Sequence, residues 1–189
     1  MKDNQKKNQI IKAAEKRFIR HGLNKTTMDE IARDLRISKA SIYHYFKSKE
    51  EIYVNVISYS HNLQINQLEE KIKSNENLTI ERVLWEFLLF KADIKNSNKI
   101  VFGLIVNIIS EVAFEEELAV FQNLIQYEKD FLTKMISEIQ KNKIKKTLND
   151  ALTFIINDCI CISIVDKFLN TRQIGTEKQQ RTFVFKKCI

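Results

Sequence analysis

The chain of 189 residues is 44% apolar, enough to bury a hydrophobic core, and this composition excludes an intrinsically disordered protein. It contains three glycines and no proline, so folds with many tight turns are excluded and an all-α protein is expected. The net charge of +7 arises wholly within residues 1–50, which hold 13 Lys/Arg against 6 Asp/Glu, a segregation typical of a domain that meets a polyanion or of a solvated basic face.

Two helices are predicted at the start of the chain. Apolar residues recur at helical spacing through residues 5–21, and Gly22 follows as a C-terminal stop. Thr27 with Glu30 three residues later forms a capping box, which predicts the start of a second helix. The apolar stripes of the two helices are Ile10, Ile11, Ala14 and Phe18 in the first, and Met28, Ile31, Ala32 and Leu35 in the second.

A third and a fourth helix follow after a short interruption. Residues 36–38 end the second helix, and Ser38 caps a third over residues 39–45. Ser48 with Glu51 forms another capping box, which opens a long helix to about Lys73. Two short helices joined by a three-residue turn are typical of a helix-turn-helix motif. The third helix has an apolar back at Ile42 and a polar, basic front formed by Lys39, Ala40, Tyr43 and His44.

Residues 10–53 resemble the N-terminal signature of the TetR/AcrR family of transcriptional regulators. The matching pieces are Ile11-x-x-Ala14, Phe18, Gly22, Thr26-Thr27, Ile31-Ala32, Leu35, Ile37-Ser38 and the run from Ser41 to Tyr53. Arg36 departs from the family pattern, which usually has a small residue there, often glycine; it either adds a phosphate contact or strains the turn. The resemblance implies a three-helix DNA-binding domain at residues 1–50 and a helical ligand-sensing and dimerisation domain at residues 51–189.

The resemblance also assigns roles in DNA binding to eight residues. Helix N-termini attract phosphate and a tyrosine hydroxyl donates from a rigid ring, whereas a lysine can bond guanine and an alanine can touch a thymine methyl. Capping alone is the alternative for Thr27, core packing for Tyr45, and an ordinary exposed histidine for His44. The implied phosphate contacts are Thr27, Tyr43, Tyr45 and Lys49, and the implied base-edge or groove contacts are Lys39, Ala40, Ser41 and His44.

Further helices are predicted at 79–95, 98–113, 116–141 and 147–171. The third keeps one amphipathic face, with Glu128 as the exception. The last is apolar nearly all round, and such a helix must be buried on every side, so we expect it to pair two subunits in a homodimer. The sequence of 175–189 is ambiguous, since residues 182–185 are compatible with a helix end, a short strand or a frayed tail, and no structure is predicted for 172–189.

The second domain is predicted to enclose an apolar pocket. Large apolar side chains with a few isolated polar groups are the usual composition of a small-molecule site, although core packing is the alternative for each aromatic residue. Residues 51–189 hold 18 Lys/Arg and 18 Asp/Glu, which argues against a strongly charged ligand. The candidate ligand-binding residues are His61, Trp85, Phe102, Asn107, Phe121, Phe154 and Asn157.

These observations favour a cytoplasmic repressor that binds an inverted-repeat operator in double-stranded DNA and is released by a small lipophilic effector. The alternative is a regulator of the same fold that a protein partner controls. An enzyme is disfavoured because no paired acid and base, metal-ligand spacing or phosphate loop is found, and no cofactor is expected. Cys159, Cys161 and Cys188 have no ligand spacing and are expected to be reduced thiols. The N-terminus has no signal-peptide pattern, and the apolar segments are too short to span a membrane.

Overall fold

The computed structural model describes residues 2–74, 78–110 and 112–139 of the chain. Every regular element in these ranges is a helix, which confirms the all-α prediction. The helices are α1 Lys2–His21, α2 Met28–Asp34, α3 Lys39–Tyr43, α4 Lys49–Lys73, α5 Ile80–Ala92, α6 Ile94–Ser97, α7 Lys99–Ile109 and α8 Glu115–Ile139. The predicted helix 147–171 and the tail 172–189 lie outside the described residues.

Helix α1 ends where its glycine was expected to stop it. Gly22 has a φ of +74°, and its N–H donates to the Phe18 carbonyl at 2.9 Å. Only a residue without a side chain adopts this left-handed angle at little cost, so the chain turns there. The predicted apolar stripe of α1 is fully buried, and the helix packs on both α2 and α7.

Helix α2 begins with the predicted capping box. The Glu30 N–H donates to Thr27 Oγ1 at 3.3 Å, and the Thr27 N–H donates back to Glu30 Oε2 at 2.9 Å. This reciprocal pair satisfies two of the backbone donors that a helix start leaves open. Arg17 on α1 bonds Asp34 at the end of α2, with Nη2 2.9 Å from Oδ1, and so ties the first two helices together.

One residue of the turn between α2 and α3, Arg36, has a strained backbone conformation. Arg36 has a φ of +53°, the left-handed region that the family's usual glycine would adopt freely. Ser38 caps α3, because its Oγ accepts the Ser41 N–H at 3.1 Å. The structure ends α3 at Tyr43 instead of Tyr45, since the Tyr45 N–H bonds the Ile42 carbonyl in a tighter turn at 2.9 Å.

The long helix α4 has the predicted bounds, but its capping box is only half formed. Ser48 Oγ accepts the Glu51 N–H at 3.1 Å, as expected. The Glu51 carboxylate instead accepts the N–H of Lys47, at 2.6 Å. The carboxylate therefore reaches one residue further back along the chain than a complete capping box requires.

The predicted helix 79–95 is two helices. Asp93 caps the end of α5, and α6 is a single turn. Asn98 then starts α7, because its Oδ1 accepts the Val101 N–H at 3.1 Å while its Nδ2 donates to Gln64 Oε1 at 2.7 Å. Asn96 and Ser97 thus belong to α6, and Asn98 is the N-cap of α7.

The chain forms two compact units, each assembled from separate segments. One consists of Met1–Gln64 and Lys95–Leu124, and the other of Ile65–Ile94 and Ile125–Ile189, of which residues 125–139 are described. The predicted boundary at residue 50 concerns function and stays a prediction. Within the described ranges, no helix is long and apolar enough to cross a membrane.

A buried ion pair lies inside the second unit. Lys91 Nζ lies 2.8 and 2.9 Å from the two carboxylate oxygens of Glu128, and the two side chains are 6% and 3% exposed. Glu128 is the residue that interrupts the apolar face of α8. Its charge is buried because α5 supplies the opposite charge.

Candidate nucleic-acid interface

Helix α3 presents two chemically different faces. Ile42 on its back is fully buried, and so is Phe46 just beyond its end. Tyr43 on the front is 48% exposed, and Lys39, Ala40 and His44 are exposed as well. The predicted apolar back and exposed front of the third helix are confirmed, since three of the eight candidate DNA-binding residues are exposed on α3 and exposed His44 follows directly after it.

Lys39 is held by an acidic neighbour on α2. Its Nζ lies 2.8 Å from Asp29 Oδ2, and both side chains are about half exposed. The hydrogen bond to Asp29, and then its charge, raise the pKa of the Lys39 ammonium above its usual value. Lys39 therefore stays a cation, but it must share its donors with Asp29 or leave that carboxylate before it can bond a base edge.

Thr27 and Ser41 are both engaged in helix capping. The Thr27 hydroxyl accepts from the Glu30 N–H and donates to Glu30 Oε2 at 3.0 Å. Ser41 is half-buried, and its hydroxyl lies 2.8 Å from that of Ser38. Thr27 thus caps α2, and its phosphate contact stays a prediction.

Lys49 is anchored at the start of α4. Its Nζ donates to the carbonyl of Leu23 at 3.0 Å, in the connection that follows α1. An ammonium group has three donors, so this bond leaves donors for a phosphate oxygen. The bond also restricts a long side chain in advance, which lowers the entropy that a phosphate contact would remove.

The two aromatic residues after the front of α3 form a contact of their own. The His44 and Tyr45 rings meet edge to face, with centroids 4.9 Å apart and planes at 85°. Tyr45 is half-buried, intermediate between the core position and the exposed contact that the sequence left open. Its role and that of His44 in DNA binding stay predictions.

The described candidate ligand-binding residues lie on four helices. His61 is fully buried on α4, Phe102 and Phe121 are half-buried on α7 and α8, and Trp85 on α5 is 58% exposed. Such exposure does not suit the enclosed pocket wall expected of Trp85. Phe154 and Asn157 lie outside the described residues.

Asn107 has the hydrogen-bond partner that an amide in an apolar stretch requires. Its Nδ2 donates to Glu117 Oε1 at 2.9 Å, which joins α7 to α8. Asn107 and Glu117 also line an open cleft of about 530 Å³ within the first unit. Neither Asp29 nor Glu117 was singled out in the sequence, because each acts through a partner on another helix.

The sequence profile described as bacterial regulatory proteins, tetR family, matches residues 10–56. This stretch covers the last part of α1, the helix-turn-helix and the start of α4. It coincides closely with the 10–53 region in which the resemblance was recognised.

Two relatives match over similar lengths. The uncharacterized HTH-type transcriptional regulator YuxN of Bacillus subtilis is 34% identical over 94 residues, which cover 47% of this chain and 32% of that protein. The negative transcriptional regulator IcaR of the biofilm operon icaADBC in Staphylococcus epidermidis is 34% identical over 82 residues, which cover 43% of each. The chain thus spans about a third of one of these relatives and under half of the other.

The fold extends beyond the matched segment. A crystal structure of a transcriptional regulator from Cytophaga hutchinsonii superposes with a TM-score of 0.66 over 95% of this chain and 91% of that one, at 22% identity. Each of these three proteins is named as a transcriptional regulator. The profile match and the motif residues show that residues 10–56 are similar to the tetR family of bacterial regulatory proteins, and the solved structure shows a shared helical fold.

Proposed function

We propose that the chain is a sequence-specific DNA-binding repressor that a small lipophilic ligand releases from its operator. The observation that carries the proposal is the orientation of α3, whose apolar back at Ile42 is buried while Lys39, Ala40 and Tyr43 face outward. A short helix with a buried back and a polar front is the arrangement that enters a major groove. The name of IcaR describes that relative as a negative regulator, which supports repression here.

The residues of the interface divide into two roles. Lys39 and Ala40 would meet base edges, which carry the sequence information. Lys49 and Tyr43 would meet phosphates, which fix the position of the protein without reading sequence. The +7 charge confined to residues 1–50 would supply the attraction to DNA that does not depend on sequence.

The repressor would act as a homodimer in the cytoplasm, with its two α3 helices on the half-sites of an inverted repeat. The sequence of 147–171, apolar nearly all round, supports pairing of two subunits. Two-fold symmetry of the protein then requires a matching symmetry in the operator. A ligand that changed the separation of the two α3 helices would put the dimer out of register and lower its affinity.

The two roles are tested by substituting one lysine of each kind. An operator is first selected with the wild-type protein from randomised duplexes, and binding is then followed by fluorescence anisotropy against salt concentration. Lys49→Ala should weaken binding to all duplexes alike and lower the magnitude of the salt slope by about one. Lys39→Ala should instead change the preferred sequence, at about 1–3 kcal/mol for a lost bidentate base contact.

Lys95→Ala, an exposed lysine on α6, is the matched control and should leave both properties unchanged. If Lys49→Ala altered the preferred sequence, or if Lys39→Ala weakened all duplexes alike, the assigned roles would be wrong. If wild-type protein selected no sequence at all, the proposal of a specific repressor would fail.

Control by a ligand is tested by a thermal-shift screen of lipophilic compounds. A ligand present at 100 times its Kd raises the free energy of unfolding by about 2.7 kcal/mol. The same compound should weaken operator binding, because coupling between two sites is reciprocal. A screen in which no compound shifted the unfolding temperature would favour control by a protein partner.

A further inference from the structure

The first compact unit contains an open cleft of about 530 Å³. It lies where the end of α1 and the connection after it, residues 18–25, meet α7 and the start of α8. We call it the α1–α7 cleft. Among the described residues that line it, Asn107 is the one candidate ligand-binding residue.

The lining of the α1–α7 cleft has two chemical zones. Lys25, Lys99 and His21 are exposed, so basic groups surround its opening to solvent. Ile19 and Val112 also line the cleft and are 48% and 67% exposed, so apolar surface is open to a ligand beside these basic groups. The opening of the cleft is basic although residues 51–189 are neutral overall. One reason is that the connection after α1 contributes a lysine from the basic N-terminal region.

The carboxylate of Glu117, an acidic residue of this lining, already accepts hydrogen bonds from the protein. Glu117 is 1% exposed, and its carboxylate accepts from Asn107 Nδ2 at 2.9 Å and from the Phe114 N–H at 3.2 Å. The Tyr53 hydroxyl also bonds it, and burial first, then the charge of Glu117, raise the pKa of that phenol well above its usual value. Neutral donors thus stabilise the buried carboxylate, which needs no cation from a ligand.

A glycine keeps part of the cleft open. Gly103 lies within α7 and lines the cleft, and a Cβ added there would meet no atom within 4 Å. Glycine in the middle of a helix lowers its stability relative to alanine, and no backbone angle requires a glycine at this position. Any larger side chain at residue 103 would project into the open space.

We propose that the α1–α7 cleft binds an organic anion with an apolar body, its acidic head group near Lys25 and Lys99 and its hydrocarbon against Ile19 and Val112. Such a ligand would contact both α7 and the connection that leads into α2. If the proposed DNA-binding function holds, occupation of the cleft would therefore alter DNA affinity.

Head-group preference tests the proposal with decanoate, decanol and decylamine, titrated into full-length protein by isothermal calorimetry below their aggregation concentrations. Decanoate should bind saturably with one site per chain, and at least tenfold more tightly than the other two. Equal affinity for decylamine or decanol, or no saturable binding of decanoate, would overturn it.

Substitutions locate the site. Gly103→Leu should weaken decanoate binding at least tenfold by filling the cleft, and Gly103→Ala should weaken it less while leaving the helix intact. Lys25→Glu with Lys99→Glu should weaken decanoate binding and favour decylamine, whereas Lys95→Glu, an exposed lysine outside the lining, should change nothing. Circular dichroism verifies that each variant is folded, and wild-type affinity in both the glycine and the double-lysine variants would contradict the site.

The titrations contain no DNA, so the ligand site and the DNA-binding function fail separately. Decanoate binding without any operator binding would overturn the proposed function alone. Operator binding without decanoate binding would overturn the cleft alone. Decanoate binding that left operator affinity unchanged would overturn the regulatory link between them.

Discussion

Arg36 occupies a backbone conformation that its side chain disfavours. Its φ of +53° places a residue with a Cβ in the left-handed region, which costs about 1–2 kcal/mol relative to ordinary helical angles. Glycine avoids that cost but loses more chain entropy on folding. We therefore expect Arg36→Gly to raise the free energy of unfolding by about 0.5–1 kcal/mol, measured by urea denaturation.

The matched control is Arg33→Gly, at an exposed position inside α2. A glycine within a helix should lower the free energy of unfolding there by about 1 kcal/mol. If both variants lost stability, the backbone at Arg36 would not be strained in solution, and the arginine would stabilise the turn by some other contact.

Hydrogen bonds between residues three positions apart in the sequence could be predicted. Contacts between residues on different helices could not. The caps at Thr27 and Ser38 were predicted because a capping residue and its partner lie in the same turn. The bond from Lys39 to Asp29 was not, because it joins two helices whose crossing depends on the packed core. The same holds for the Glu117 carboxylate, whose donors come from three parts of the chain.

At the scale of elements, α1 and α2 are joined by an ion pair that titrates. The hydrogen bond from Arg17, and then its charge, hold the pKa of the Asp34 carboxyl below its ordinary value of 3.8. A lowered folded-state pKa contributes stability that is fully present above the unfolded value and is lost as pH falls through the folded value. The Arg17–Asp34 ion pair should therefore weaken only below about pH 4.

The variant Asp34→Asn should lack this dependence of folding stability on pH. Because Asp34 is exposed, the difference in unfolding free energy between wild type and variant should be small at pH 7, and should shrink further as pH falls below about 4. Urea denaturation of both proteins across that range measures it. A difference that grew on acidification would mean that the charged carboxylate destabilises the folded state.

Helix bounds were predictable where a cap or glycine marks them, and less so where packing decides. The end of α1 at Gly22 and the whole of α4 follow from local signals. The division of 79–95 into α5 and α6 does not, because Asp93 carries no strong stop signal and α6 is a single turn. Periodicity marked Glu128 as an exception on α8, but it could not indicate Lys91 as the partner.

The Lys91–Glu128 pair gives a sharp test of packing between α5 and α8. Lys91→Met would leave a carboxylate that is 3% exposed without its counter-charge, so the free energy of unfolding should fall by about 3–5 kcal/mol. The double variant Lys91→Met/Glu128→Leu should recover most of that loss, since an apolar pair of similar volume needs no desolvation of charge.

Lys95→Met is the control for the loss of a lysine. Because Lys95 is exposed on α6, the free energy of unfolding should change by no more than about 0.5 kcal/mol. Chemical denaturation measures all three variants. A double variant as unstable as Lys91→Met alone would show that the pair, and not only the unmatched charge, stabilises the unit.

At the scale of the whole molecule, the proposed dimer rests on the sequence of 147–171. Lysine introduced at Ile160, Ile164 and Phe168 together would place charge on that apolar surface, which an interface cannot bury without a counter-charge. We expect monomeric or misfolded protein by sedimentation velocity. Ile19→Lys, at a position 48% exposed on α1, should sediment like the wild type. A triple variant that sedimented as a wild-type dimer would refute this interface.

The division of the chain into interleaved segments limits how its parts can be exchanged. The first unit contains both Met1–Gln64 and Lys95–Leu124, and its boundaries fall inside α4, α6 and α8. A chimera cut at residue 50 would therefore keep the helix-turn-helix but lose α7, on which α1 packs. A chimera with the sensor domain of another protein should work as a regulator only if that domain provides an equivalent packing surface for α1.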